Sequence, residues 1–119
     1  MQKVNGIGGL FFRSQNPDVL SKWYEENLGI SGVLSGEVWQ QKEGTTVFAP
    51  FEKKTDYFGR DMQQFMVNFR VDNLDAMLEQ LAANKVKIDD ERMSDDGLGK
   101  FAWIYDPEGN KIELWEPAE

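Results

Sequence analysis

The sequence predicts an α+β fold: two βαβββ modules forming one curled mixed sheet with helices on the outer face. Three observations predict it. First, residues 12–27 (FRSQNPDVLSKWYEEN) line up with residues 69–84 (FRVDNLDAMLEQLAAN) at a constant offset of 57, so that Phe12, Arg13, Asn16, Asp18 and Asn27 recur as Phe69, Arg70, Asn73, Asp75 and Asn84. A period of about half a chain marks a duplicated module, not a solenoid. Second, each copy changes from a short apolar run to helical spacing behind a capping asparagine. Third, each copy ends in strand-like segments around an Glu-Gly turn: Trp39, Glu43, Gly44 and Val47 match Trp103, Glu108, Gly109 and Ile112.

The elements follow in order. Residues 7–13, rich in Phe and Gly, read as a strand. Asn16, Pro17 and Asp18 start a helix with a cap, a proline at the first helical position and an acid in the first turn. Leu20, Trp23, Tyr24 and Leu28 form its buried stripe, and Gly29 stops it. Residues 38–41 and 45–50 read as strands around the turn at Lys42, Glu43 and Gly44. In the second copy, residues 65–71 are the strand and Asn73 the cap. Leu74, Met77, Leu78 and Leu81 are the stripe, and Asn84 closes the helix in a left-handed conformation. Residues 101–105 and 111–115 are strands around the turn Asp106-Pro107-Glu108-Gly109-Asn110. The acidic stretch DDERMSDD, residues 89–96, reads as a solvated loop. The organisation is thus a single domain, 1–119, made of module one (1–52) and module two (63–119) joined by a linker (53–62).

Composition excludes several functions. The 119 residues with 40% apolar content are enough for a packed core. There are no cysteines and no histidines, which removes disulfides, thiolate-bound metals and any Ser-His or Cys-His nucleophile. A net charge of −8 disfavours nucleic acid and would steer a cationic ligand inward. The start MQKVNGIGG lacks the layout of a signal peptide, and no apolar run approaches a membrane span, so a cytoplasmic location is expected. Gly6, Gly8 and Gly9 do not form a nucleotide loop, since no strand precedes them and the last glycine is lacking.

Two helices cover only one face of about eight strands, which leaves the opposite face as a lined groove. Side chains alternate along a strand. With Val67, Phe69 and Val71 beneath a helix, Met66, Asn68 and Arg70 share the groove face. With Ile112 and Leu114 beneath a helix, Lys111, Glu113 and Trp115 join them. The repeat adds Gly9, Phe11 and Arg13, together with Thr46, Phe48 and Pro50.

The paired modules, the segment Asp106-Pro107-Glu108-Gly109-Asn110 running into Ile112-Glu113-Leu114, and Pro17, Trp23, Tyr24, Leu28 and Gly29 resemble the vicinal oxygen chelate superfamily. That group contains glyoxalase I, bleomycin and fosfomycin resistance proteins and extradiol dioxygenases. The resemblance covers nearly the whole chain and implies the glyoxalase-like fold. Metal-dependent members carry ligands on the first and last strands of each module, which fall here on Gly9, Phe48, Met66 and Glu113. Only Glu113 can ligate a cation, so the usual metal site is expected to be absent, with no cofactor.

The expected function is metal-free binding of a small aromatic or cationic molecule, with Phe11, Trp39, Phe48, Met66, Asn68, Trp103 and Glu113 lining the groove. One alternative is a glyoxalase- or dioxygenase-type enzyme, with a displaced metal or with Glu113 as the catalytic acid or base. A second is a non-catalytic interaction module. The expected partners are a small-molecule ligand and, from the resemblance, a second copy in a homodimer, with no nucleic acid and no membrane.

Overall fold

A computed structural model describes residues 1–30 and 38–119. In chain order these contain α1 (Pro17–Leu28), β1 (Val67–Arg70), α2 (Leu74–Ala83), β2 (Lys87–Asp95), β3 (Gly99–Tyr105) and β4 (Lys111–Pro117). The strands form one open mixed sheet in the order β1-β4-β3-β2. β1 runs parallel to β4, and the β3–β4 and β2–β3 pairs are antiparallel. The architecture is α+β, as expected.

Both helices start as their caps dictate. Asn16 Oδ1 accepts from the Val19 N–H at 3.3 Å, and Asn73 Oδ1 accepts from the Ala76 N–H at 3.0 Å. Gly29 closes α1 in the left-handed region at φ 72°, and its N–H donates to Glu25 O at 3.1 Å. The end of α2 differs from expectation. Asn84 sits at φ −89°, and the left-handed position passes to Lys85 at φ 61°. The turn closes one residue later, and the Asn84 side chain bridges to Asn27 of α1.

The stripes of both helices meet one face of the sheet. Leu74, Leu81, Ala102, Ile104, Ile112 and Leu114 form the buried cluster. Trp23, Tyr24 and Leu28 of α1 pack against it, as do Phe69, Met77 and Leu78. At about 25 cal/mol per Å2 of apolar surface, this cluster is the main source of cohesion. Tyr24 adds a polar tie, its hydroxyl donating to Asp106 Oδ2 at 2.7 Å.

Two expectations are corrected. Residues 89–96 are not a loop: residues up to Asp95 belong to β2, an exposed edge strand with a register shift between Ile88 and Arg92. Charged side chains and an irregularity are how exposed sheet edges are protected from further pairing. Second, all four strands among the described residues belong to module two. Residues 7–13, 38–41 and 45–50 form no ladder. An apolar strand needs a neighbour and a covered face. Here α1 and α2 both rest on the module-two sheet, so the module-one segments have no helix above them. Ile7, Leu10, Phe11, Val47 and Phe48 stand exposed. Residues 53–62, expected to be a linker, run through tight turns beside the uncovered face of the sheet, where Tyr57 reaches Glu113.

Candidate functional site

The site is built on the alternation of β4. Ile112 and Leu114 are buried under the helices, which turns Glu113 to the opposite face. Sheet register then sets its neighbours, since Asn68 of β1 and Trp103 of β3 stand directly across from it. Glu113 is only 7% exposed. Its Oε1 accepts from Asn68 Nδ2 at 2.9 Å, and its Oε2 accepts from Trp103 Nε1 at 3.1 Å. A third donor comes from the linker: the Tyr57 hydroxyl reaches Oε2 at 2.6 Å.

These donors are all neutral. A buried carboxylate without a paired cation has to be held by hydrogen bonds. The ion pairs among the described residues are Lys22–Glu26, Lys42–Asp72 and Lys100–Asp75, none of which involves Glu113. Burial, followed by the hydrogen bond and negative charge of Glu113, pushes the Tyr57 phenol far above its usual range. Tyr57 therefore remains a donor at any ordinary pH.

Aromatic rings surround the carboxylate. The Tyr57 ring stacks on Phe51 with centroids 5.6 Å apart and meets Trp103 edge-on at 6.1 Å. Lys111 Nζ lies 5.1 Å from the Tyr57 centroid and 5.7 Å from that of Trp103. It donates to the Tyr57 carbonyl at 2.8 Å. Further along the same face Phe101 stacks on Trp115 at 5.9 Å. The face offers a buried carboxylate, flat apolar walls and a basic side chain occupied with the linker, with Glu91 of β2 close enough for its charge to act on Tyr57.

Of the residues expected in the groove, Asn68, Trp103 and Glu113 come together. Met66 is half-buried, immediately before β1. Phe11 and Phe48 are 93% and 87% exposed and do not join the cluster. Trp39 lies on the helix side, its ring edge-on to Phe69 at 6.3 Å. Trp39, Phe11 and Phe48 miss the site for one reason: their strands would have to pair into the sheet, and the module-one segments do not. Among the described residues no three carboxylates gather where an ion could sit. Lys111 stands on the groove face as alternation placed it, and Tyr57 is the contributor that sequence reasoning missed. The available signal was the aromatic pair Tyr57-Phe58 close to Phe51 in an otherwise polar linker.

A separate open depression is lined by Lys42, Arg70, Asp72, Asn73, Met77 and Gln80. Its basic groups are already engaged: Arg70 donates to the Lys42 carbonyl at 2.8 Å, and Lys42 pairs with Asp72 at 3.3 Å.

Among solved structures, the chain is similar to the trypanothione-dependent glyoxalase I of Leishmania major, at 24% identity and a TM-score of 0.38 over 50% of this chain and 40% of that one. It is also similar to the protein SMU.1112c, at 28% identity and a TM-score of 0.41 over 61% of this chain and 54% of that one. The match thus spans about half the length of each of these proteins. No curated protein matches the chain. The family model of the Glyoxalase/Bleomycin resistance protein/Dioxygenase superfamily matches residues 6–114. The chain belongs to the glyoxalase/bleomycin resistance protein/dioxygenase superfamily.

Proposed function

We propose that this protein binds a small aromatic or cationic molecule, without a metal, on the sheet face around Glu113. The observation that carries the reading is the 7% exposed carboxylate of Glu113, held by three neutral donors and, among the described residues, in no ion pair. A cation placed there would gain a charge-assisted hydrogen bond in a shielded environment. Trp103 supplies a ring face beside it. The net charge of −8 would speed the approach of such a ligand.

A second copy of the chain is the proposed partner. Phe11, Phe48, Val47 and Leu10 are too large an apolar set to leave against water without cover. A homodimer would supply it, and light scattering after size exclusion should return twice the 13.7 kDa chain mass. A cytoplasmic location belongs to the same proposal, supported by the absence of cysteine. Among the described residues, no helix is long and apolar enough to cross a membrane.

The test is titration with a panel of planar aromatic cations, read by tryptophan fluorescence. Saturable quenching is expected, weakened about tenfold or more in Glu113→Gln, equivalent to ~1.4 kcal/mol. Failure of every cation to quench, or equal affinity in the variant, removes the reading. Metal analysis of protein purified without chelators separates it from a metalloenzyme: a stoichiometric transition metal would overturn the metal-free assignment.

A further inference from the structure

The residue that now fills the Glu113 site comes from the chain's own linker. Tyr57 presents a flat ring edge-on to Trp103, stacked on Phe51, with an O–H donor pointing at Glu113 Oε2. Those are the features asked of a ligand there: a planar ring carrying a polar hydrogen in line with it. We propose that Tyr57 is a built-in occupant of the Glu113 site. The linker then acts as a strap that must swing away before an aromatic ligand bearing an N–H donor can enter. This rests on the binding role proposed for Glu113 and adds its ligand shape and its gate.

The fastening of the strap supports this. Its far end is fixed to the start of β4. Gln63 Nε2 donates to Lys111 O at 2.9 Å, Gln63 Oε1 accepts from the Lys111 N–H at 2.8 Å, and Arg60 donates to Asn110 Oδ1 at 2.9 Å. Among the described residues, the near end, residues 52–56, shows only local turn bonds, such as Thr55 N–H to Glu52 O at 3.0 Å. Between them Gly59 takes φ 88°, a conformation open to glycine and rarely to other residues. Tyr57 is held in place by its hydroxyl on Glu113, by Lys111 on its carbonyl and by its ring contacts. The strap is therefore anchored at one end and latched at Tyr57.

Such a latch lowers apparent affinity by the fraction of molecules that are open. Tyr57→Phe removes the hydroxyl and keeps the ring, leaving Oε2 with Trp103 as its remaining donor. Tyr57→Ala removes the ring as well.

The experiment uses p-aminobenzamidine, an aromatic amidinium, titrated by fluorescence into the full chain and both variants. Thermal unfolding checks that each variant folds. The expected result is about tenfold tighter binding in Tyr57→Phe, at least as much in Tyr57→Ala, and loss of the gain when Glu113→Gln is added. Hydrogen exchange of residues 52–60 in the parent protein should quicken when p-aminobenzamidine saturates it. Binding in all three proteins with equal or weaker affinity in the Tyr57 variants overturns the strap and leaves the Glu113 site standing. Unchanged or slowed exchange on saturation also overturns it. No binding to any of the three overturns the site itself, and the strap with it.

Discussion

Asn84 Nδ2 donates to Asn27 Oδ1 at 3.2 Å, joining two residues that lie 57 positions apart and hold the same place in the repeat. Asn27 lies in the last turn of α1 and Asn84 follows the last residue of α2, and together they tie the ends of the two helices. Asn27 is buried, and its own Nδ2 turns back to Trp23 O at 3.0 Å. Gln80 Nε2 reaches the Asn27 carbonyl at 3.4 Å. The symmetry in sequence has become a contact in space.

Removal of Asn84 leaves a buried amide oxygen unpaired. Asn84→Ala should therefore cost about 1–2 kcal/mol, seen as a lower urea midpoint with an unchanged slope. The Asn27→Ala, Asn84→Ala double variant should lose less than the sum of the two, with a coupling of about 0.5 kcal/mol or more. Strict additivity would show that the bond contributes nothing.

Glu113→Gln and Glu113→Ala should differ sharply in stability. In the glutamine variant Oε1 can still accept from Tyr57 and Trp103, while its new N–H group faces Asn68, whose amide can rotate to present oxygen. The change should be within about 1 kcal/mol. Alanine strands the Trp103 indole N–H in a buried position and should cost about 2–3 kcal/mol. Equal unfolding midpoints for the two variants would contradict the hydrogen-bond assignment.

Gly99 opens β3 at φ 119°, where an added Cβ would press on the backbone at Glu116, Pro117 and Ala118. Backbone neighbours cannot turn aside as a flexible side chain can. Gly99→Ala should destabilise by about 2–3 kcal/mol, combining strain with displacement of β4. Gly8→Ala, with open space around it, is the matched control and should change stability little.

Glu108 fastens the chain just before α1. It accepts from the Ser14 hydroxyl at 2.6 Å and from the Gln15 N–H at 2.9 Å. These bonds hold its carboxyl below the ordinary value of 4.5. A depressed carboxylate stabilises fully above its unfolded value, and the contribution fades as pH falls through the native one. Urea unfolding followed between pH 6 and about 3 should therefore show a loss below 4.5 that is reduced in Glu108→Gln. Identical slopes for the two proteins would show that Glu108 is not coupled to folding.

Much of the site was legible because it depends on local rules. Alternation placed Ile112 and Leu114 inward, so Glu113 had to face outward from the helices. The same reasoning on residues 66–71 placed Asn68 on the same face; Trp103 was expected there as a groove aromatic, and the register of β3 with β4 set it across from Glu113. Tyr57 was not legible. It sits far from Glu113 in sequence, in a stretch with turn residues and no period, and nothing local states which surface such a stretch will cross.

The sequence by itself determined the helices, their N-caps and stripes, the strands β1, β3 and β4, and the family, since these follow from nearest-neighbour geometry and side-chain chemistry. Only the tertiary structure decided where the module-one segments and the linker went. Residues 7–13 and 45–50 carry strand patterns, yet a strand forms only where another edge and a covering helix are present. Both helices pack on the module-two sheet, where their apolar stripes are removed from water. That competition is settled among distant parts of the chain, beyond the reach of any local pattern.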